Sequence, residues 1–110
     1  MKIRIEDMNG TVIRDNETYV VEDVQLLENL TVSKTVLHVG KETTGHSHKG
    51  LEEVYMFESG TGTMQLSNDV ISVTAGDIIL IKEGEFHKVY NEGNQDLVFV
   101  CVFQKYDRNE

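Results

Sequence analysis

"GHSHKGLEEVYMFESG", residues 45–60, sets two histidines one residue apart, follows them with two adjacent glutamates, and ends an apolar run on glycine. Three of the four histidines in the chain, His38, His46 and His48, fall within eleven residues. In an extended segment alternate side chains share a face, so His46 and His48 point the same way, about 7 Å apart. Two neutral imidazoles so placed can take one metal ion. Further along, Glu53 shares parity with Tyr55 and Phe57 while Glu52 shares it with Val54 and Met56, so a regular strand turns only one of the two glutamates inward. Another ligand is offered by "GEFHKVYN", residues 84–91, where His87 lies between the apolar residues Phe86 and Val89 after a Gly-rich turn. Three imidazoles and a carboxylate suit one divalent transition metal ion, Fe, Mn, Co, Ni or Zn.

Outward from this stretch almost everything reads as strand. "ETYVVEDVQLL", "LTVSKTVLHV", "EVYMFESG", "TMQLS", "DVISVTA", "DIILIK", "FHKVYN" and "LVFVCVF" are short, rich in Val, Ile, Tyr and Phe, and separated by Gly, Asn and Asp. Their spacing of roughly 8–12 residues predicts an all-β antiparallel sandwich or barrel rather than alternating strands and helices. The one helix-like spacing, Val24 to Leu30, is short and broken by Asn. "LVFVCVF" is apolar at both parities, so both of its faces are expected to be covered, one of them by a second sheet or a second subunit.

The bounds agree with a single domain over residues 1–110. With 39% hydrophobic and 26% charged residues, the composition is that of a soluble globular protein. No apolar run is long enough to span a bilayer. "MKIRIEDMNG" has no apolar targeting region and Cys101 has no partner for a disulfide, so a cytoplasmic location is expected. A net charge of −9 without a Lys/Arg stripe argues against nucleic-acid and membrane partners. Small-molecule ligands are not excluded by it, because a metal in a pocket can dominate the local field.

Two spaced motifs make the chain resemble a cupin. The family's first motif, G-x5-H-x-H-x3,4-E-x6-G, is met by Gly40, His46, His48, Glu53 and Gly60, over residues 40–60. Its second, G-x5-P-x-G-x2-H-x3-N, is met by Gly76, Gly84, His87 and Asn91, over residues 76–91, with Lys82 where the family has proline. Fifteen residues separate the two, as in the short single-domain cupins. The resemblance implies a small jelly-roll β-barrel with a divalent metal inside, held by His46, His48, Glu53 and His87. The spacing to Gly60 selects Glu53 over Glu52. His38 lies outside both motifs and reads as a rim histidine.

"HSH", "LEEVY" and "GDIILI" followed by "GEFH" are most similar to short cupins described as mannose-6-phosphate-isomerase-like. The resemblance thus implies a metal-dependent isomerase or epimerase of a small sugar or sugar phosphate. The same family also holds non-haem iron dioxygenases and cupins that bind a metal or small ligand without turnover, so fold and ligands alone do not fix the reaction. Tyr55, co-facial with Glu53, is the leading candidate acid–base group, with Glu52 as the alternative base. Lys34 is expected to face outward, Cys101 to be inert core, and the tail "QKYDRNE" to fray. Sheet edges and the doubly apolar "LVFVCVF" predict a homodimer, with the first 25 residues as the contact.

Overall fold

The structure is a computed structural model and describes residues 1–106. Nine strands follow one another: β1 (Thr11–Asp15), β2 (Tyr19–Val24), β3 (Leu30–Leu37), β4 (Glu53–Ser59), β5 (Thr61–Leu66), β6 (Asp69–Thr74), β7 (Ile78–Ile81), β8 (His87–Tyr90) and β9 (Leu97–Gln104). There is no helix among the described residues, and the Val24–Leu30 stretch is instead the end of β2, a bend and the start of β3. A six-stranded sheet runs β1-β2-β3-β9-β4-β7 and a three-stranded one β6-β5-β8. Every pairing is antiparallel. The two sheets form an all-β jelly roll whose apolar core joins Leu37, Phe57, Leu97 and Phe99 of the larger sheet to Met64, Val73 and Val89 of the smaller.

The larger sheet departs from the usual apolar-in, polar-out alternation. On β3 the buried positions are Thr31, Ser33, Thr35 and Leu37, while Val32, Lys34 and Val36 face outward. Registered rows carry the same inversion across the sheet: Val24, Val32, Val102, Val54 and Leu80 are successive neighbours on the outer face. A polar interior accounts for the first half of the inversion, since one end of the barrel is an open cavity and not packed core.

Part of the outer face has its own cover. Lys34 faces outward as expected; its Nζ donates to the Ile5 carbonyl at 2.8 Å and lies 3.6 Å from Glu22. Gly10 N–H donates to Glu22 Oε2 at 2.8 Å and Met8 is buried, so residues 5–10 lie across this face. Ile78 and Leu80 on the edge strand β7 remain 61% and 69% exposed.

Candidate metal centre

His46 and His48 are not on a strand. The segment between β3 and β4 is a loop that meets β8 through isolated bridges, Glu42 to Tyr90 and His46 to His87, and through hydrogen bonds between Thr43 and Val89. Gly40 and Gly50, at φ of 77° and 81°, take left-handed backbone near either end of this segment. What aligns the two histidines is a set of clamps. His46 and His87 exchange backbone hydrogen bonds, N to O at 3.2 and 3.0 Å, and Gly84 N–H donates to the His48 carbonyl at 3.0 Å.

Asn91 closes the other end of this loop. Its buried amide donates to the Leu37 and Gln95 carbonyls at 2.8 and 2.9 Å and accepts from Gly93 N–H at 3.0 Å. Its backbone bonds both Gly40 and Lys41. Lys82 makes use of the N–H that a proline would lack, donating it to Glu85 Oε1 at 3.1 Å in the turn that leads to His87. The Glu85 carbonyl in turn lies 3.0 Å from His87 Nδ1.

These clamps bring together the four residues singled out by spacing. The candidate ligand atoms of His46, His48 and His87 lie within 4.8 Å of one another. Glu53, the first residue of β4, is buried and turns inward, whereas Glu52 is exposed. Its Oε1 is 3.6 Å from His48 Nε2 and its Oε2 3.3 Å from His87 Nε2. Burial alone pushes the Glu53 carboxyl up, but the contact with His87 and the neighbouring imidazoles outweigh it and hold it below the usual carboxylate range. For His87 burial favours the neutral ring; Glu53 and the Glu85 carbonyl outweigh that and hold its pKa above the ordinary histidine value.

The residues fit a metal on one observation in particular. With His87 Nδ1–H given to the Glu85 carbonyl, Nε2 is left as a buried nitrogen without a hydrogen-bond partner of adequate geometry. Such a nitrogen, 3.3 Å from the buried Glu53 carboxylate, calls for a proton or a metal ion between the two groups.

Around the cluster lies a cavity of about 480 Å³. Tyr55 is in its wall, stacked on Phe99 at 5.3 Å and edge-on to His87 at 5.6 Å. Burial, with the Cys101 thiol and Glu53 beside it, pushes the Tyr55 phenol well up, so it stays protonated at neutral pH. Phe57 is core, packed against Phe99. Cys101 is buried as expected but also reaches the cavity wall. His38 stays outside, 3.3 Å from Asp96 on the surface.

Several cavity residues escaped the sequence reading, Tyr106 and Arg14 among them. Tyr106, in the tail expected to fray, places its ring 4.9 Å from that of His48 and its hydroxyl 3.3 Å from His48 Nε2. The remainder of that tail, residues 107–110, lies outside the described residues. Arg14 on β1 also lines the cavity. The alternating Thr31, Ser33 and Thr35 were a signal that could have announced a polar interior; for Arg14 and Tyr106 there was none.

Comparison with known proteins agrees with this geometry. The sequence pattern of the cupin domain (Cupin_2) matches residues 33–103, and the chain belongs to that family. An oxalate-binding protein of Thermotoga maritima is 35% identical over 57 residues, 52% of this chain and 47% of its own length. The chain thus matches about half of that relative. Among solved structures, a predicted oxalate decarboxylase from Thermotoga maritima superimposes with a TM-score of 0.77 at 26% identity, over 96% of this chain and 100% of its own. A candidate sugar phosphate isomerase from Acidithiobacillus ferrooxidans gives 0.71 at 26% identity, over 80% and 61%. Among the described residues no helix is long and apolar enough to cross a membrane.

Proposed function

We propose that His46, His48, His87 and Glu53 hold one divalent transition metal ion, and that the protein uses it to isomerise or epimerise a small sugar or sugar phosphate. The observation that supports this best is the cavity: it is open, and its lining includes the hydroxyl-bearing residues Ser33, Thr35, Thr43, Thr44 and Tyr19. Such a wall suits an oxygen-rich ligand. Fe, Mn, Co, Ni and Zn all accept this donor set. When bound, the ion supplies Lewis-acid polarisation of a carbonyl oxygen. Tyr55, protonated and in the wall, donates a hydrogen bond or a proton to a substrate oxygen. Glu52, the other candidate acid–base group, is exposed just before β4.

The two other readings fit less well. An iron dioxygenase acting on an apolar substrate calls for an apolar pocket, which Val21, Phe99 and Phe103 in the same wall supply in part, and a purely structural or sensing cupin calls for a barrel filled by side chains. A second reading within the metal-dependent class is turnover or binding of a small dicarboxylate, favoured by the similarity to the oxalate-binding protein and the oxalate decarboxylase. The decisive experiment is anaerobic incubation of metal-loaded protein with a panel of sugars and sugar phosphates in heavy water. Deuterium entering the carbon next to the carbonyl supports the isomerase; loss of carbon dioxide from oxalate, or oxygen uptake matched to product, overturns it.

We further propose a homodimer in which a second copy covers the outer face at Val54, Met56, Ile78 and Leu80. These side chains form adjacent apolar rows on the edge of the larger sheet. Because residues 5–10 already lie across their own sheet, we propose the contact at β7 rather than in the first 25 residues. Leu80→Glu is expected to give a monomer in sedimentation at concentrations where the parent is a dimer. The net charge of −9 supports the absence of nucleic-acid and anionic-membrane partners, and the lone cysteine supports a cytoplasmic location.

A further inference from the structure

The β1–β2 register contains one irregularity. Thr11 pairs with Asp23 and Val12 with Glu22, but Arg14, not Ile13, pairs with Val21. Paired residues in an antiparallel ladder share a face. Val21 is buried and faces the barrel interior, so the extra residue exchanges an apolar side chain for a guanidinium on the cavity side. A bulge of this kind re-aims a side chain, and such features are found beside functional sites. Arg14 is accordingly part of the cavity wall while remaining exposed, which places it at the mouth. Among the described residues lining the cavity it is the one Lys or Arg. Its Nη1 donates to the Ile13 carbonyl at 2.9 Å, leaving further N–H groups of the planar fork available.

We propose that Arg14 recognises the anionic group, carboxylate or phosphate, of the small oxygen-rich ligand whose other end meets the histidine–carboxylate cluster. Only the second half of this statement rests on the metal-centre reading. A chain of net charge −9 repels small anions, so a cation at the mouth offsets that field where the ligand enters. The guanidinium matches the two oxygens of a carboxylate or phosphate with parallel hydrogen bonds, a geometry a lysine cannot reproduce. The barrel thereby reads charge at one point and hydroxyl or carbonyl oxygens at another.

The test is calorimetric titration of the full chain, metal-loaded and metal-free, with oxalate, with inorganic phosphate and with neutral glycerol at low salt. The metal-loaded parent protein is expected to bind an anion and to ignore glycerol; binding of oxalate alone assigns a carboxylate, of phosphate alone a phosphate. Arg14→Gln should weaken that binding by roughly 10- to 100-fold, as loss of a hydrogen bond to a charged group implies, and flatten its dependence on salt. Metal content and melting temperature should not change. Arg14→Lys should recover part of the affinity while keeping the salt dependence, a pattern that a merely structural role would not produce. The proposal is overturned if Arg14→Gln binds anions as tightly as the parent, or if the fully metal-loaded parent binds neither. That second outcome leaves the metal centre standing. Conversely, anion binding through Arg14 in a protein that takes up no metal sinks the metal centre and leaves Arg14 its role.

Discussion

Glu53 Oε2 lies 3.3 Å from His87 Nε2, and these two buried atoms, one from the first residue of β4 and one from the first residue of β8, face each other across the two sheets. Each is a poor tenant of an apolar interior by itself. Together with His46 and His48 they define a point where one cation would satisfy several lone pairs at once. Single replacement by alanine at His46, His48, Glu53 or His87 is therefore expected to lower metal affinity by more than the roughly 10- to 100-fold that losing an outer-shell partner costs. Glu52→Ala should leave the metal content unchanged. Elemental analysis of protein purified without chelators or metal-capturing tags checks both. Loss of metal in Glu52→Ala with retention in Glu53→Ala would reverse the assignment.

The same pair predicts opposite pH behaviour for the metal-free and metal-loaded protein. His87 is held above its ordinary value near 6.5, so its contribution to folding is full below that value and is lost as pH rises through the folded-state pKa. Glu53 is held below its ordinary value near 4.5, so its contribution is present above that value and is lost as pH falls through the folded-state pKa. The metal-free protein should thus be most stable in mildly acid solution. Metal binding requires the deprotonated His87 ring, so the stabilisation a metal adds should grow as pH rises. Melting temperatures measured with and without metal between roughly pH 5 and pH 8 should diverge toward the alkaline side. Parallel curves would count against His87 as a ligand.

Asn91 was legible only as a motif position, and the structure supplies its physical reason. Asn91→Ala leaves the Leu37 and Gln95 carbonyls without their amide partner in or near the core, and should cost about 2–4 kcal/mol in chemical denaturation. Because the Asn91 backbone also holds Gly40 and Lys41, the loop carrying His46 should loosen and metal affinity should fall as well. An Asn91→Ala protein of unchanged affinity would show that the His46–His87 bridge suffices to position the loop.

Lys82 tests how the departure from the proline pattern is absorbed. Lys82→Pro removes the exposed hydrogen bond to Glu85 and restricts the unfolded chain by about 0.4–1 kcal/mol, effects of opposite sign. The net change in stability should stay within about 1 kcal/mol, with metal content unaltered. A large loss would mean that the Lys82–Glu85 contact, and through it the Glu85 carbonyl, is what holds the His87 ring.

How far the sequence foretold this site depends on the kind of signal. The long strands were readable because β-branched residues crowd them, and β9 because its apolar run is unbroken. β1 was not, since its five residues, Thr11, Val12, Ile13, Arg14 and Asp15, are mostly polar or charged and its bulge defeats parity. His46 and His48 converge for a different reason from the one their spacing suggested: backbone clamps from Gly84 and His87 align them in a loop. Tyr106 enters from a tail with no periodic pattern, by contact with the rings of His48 and Phe103. Side chains recruited by tertiary contact, as Tyr106 is, leave no periodic trace, and Arg14 is turned to the cavity by the bulge in β1.

Tyr55 offers the sharpest test of the chemistry. Its phenol is buried against Phe99 and lies beside Cys101, with an environment that keeps the proton on oxygen throughout the neutral range. In the proposed reaction it would therefore serve as a donor to a substrate oxygen, and the carbon-bound proton would pass to another acceptor, for which Glu52 is the other candidate. Tyr55→Phe preserves the ring stacking and removes only the hydroxyl, so metal content and fold should be retained while solvent deuterium enters substrate roughly 10²-fold more slowly, the scale of a lost acid–base group. The rate should show no alkaline limb below the point where the fold itself fails, because the phenol does not titrate there. Full activity in Tyr55→Phe would transfer the donor role to the Tyr106 hydroxyl, 3.3 Å from His48 Nε2, and Tyr106→Phe would then carry the loss.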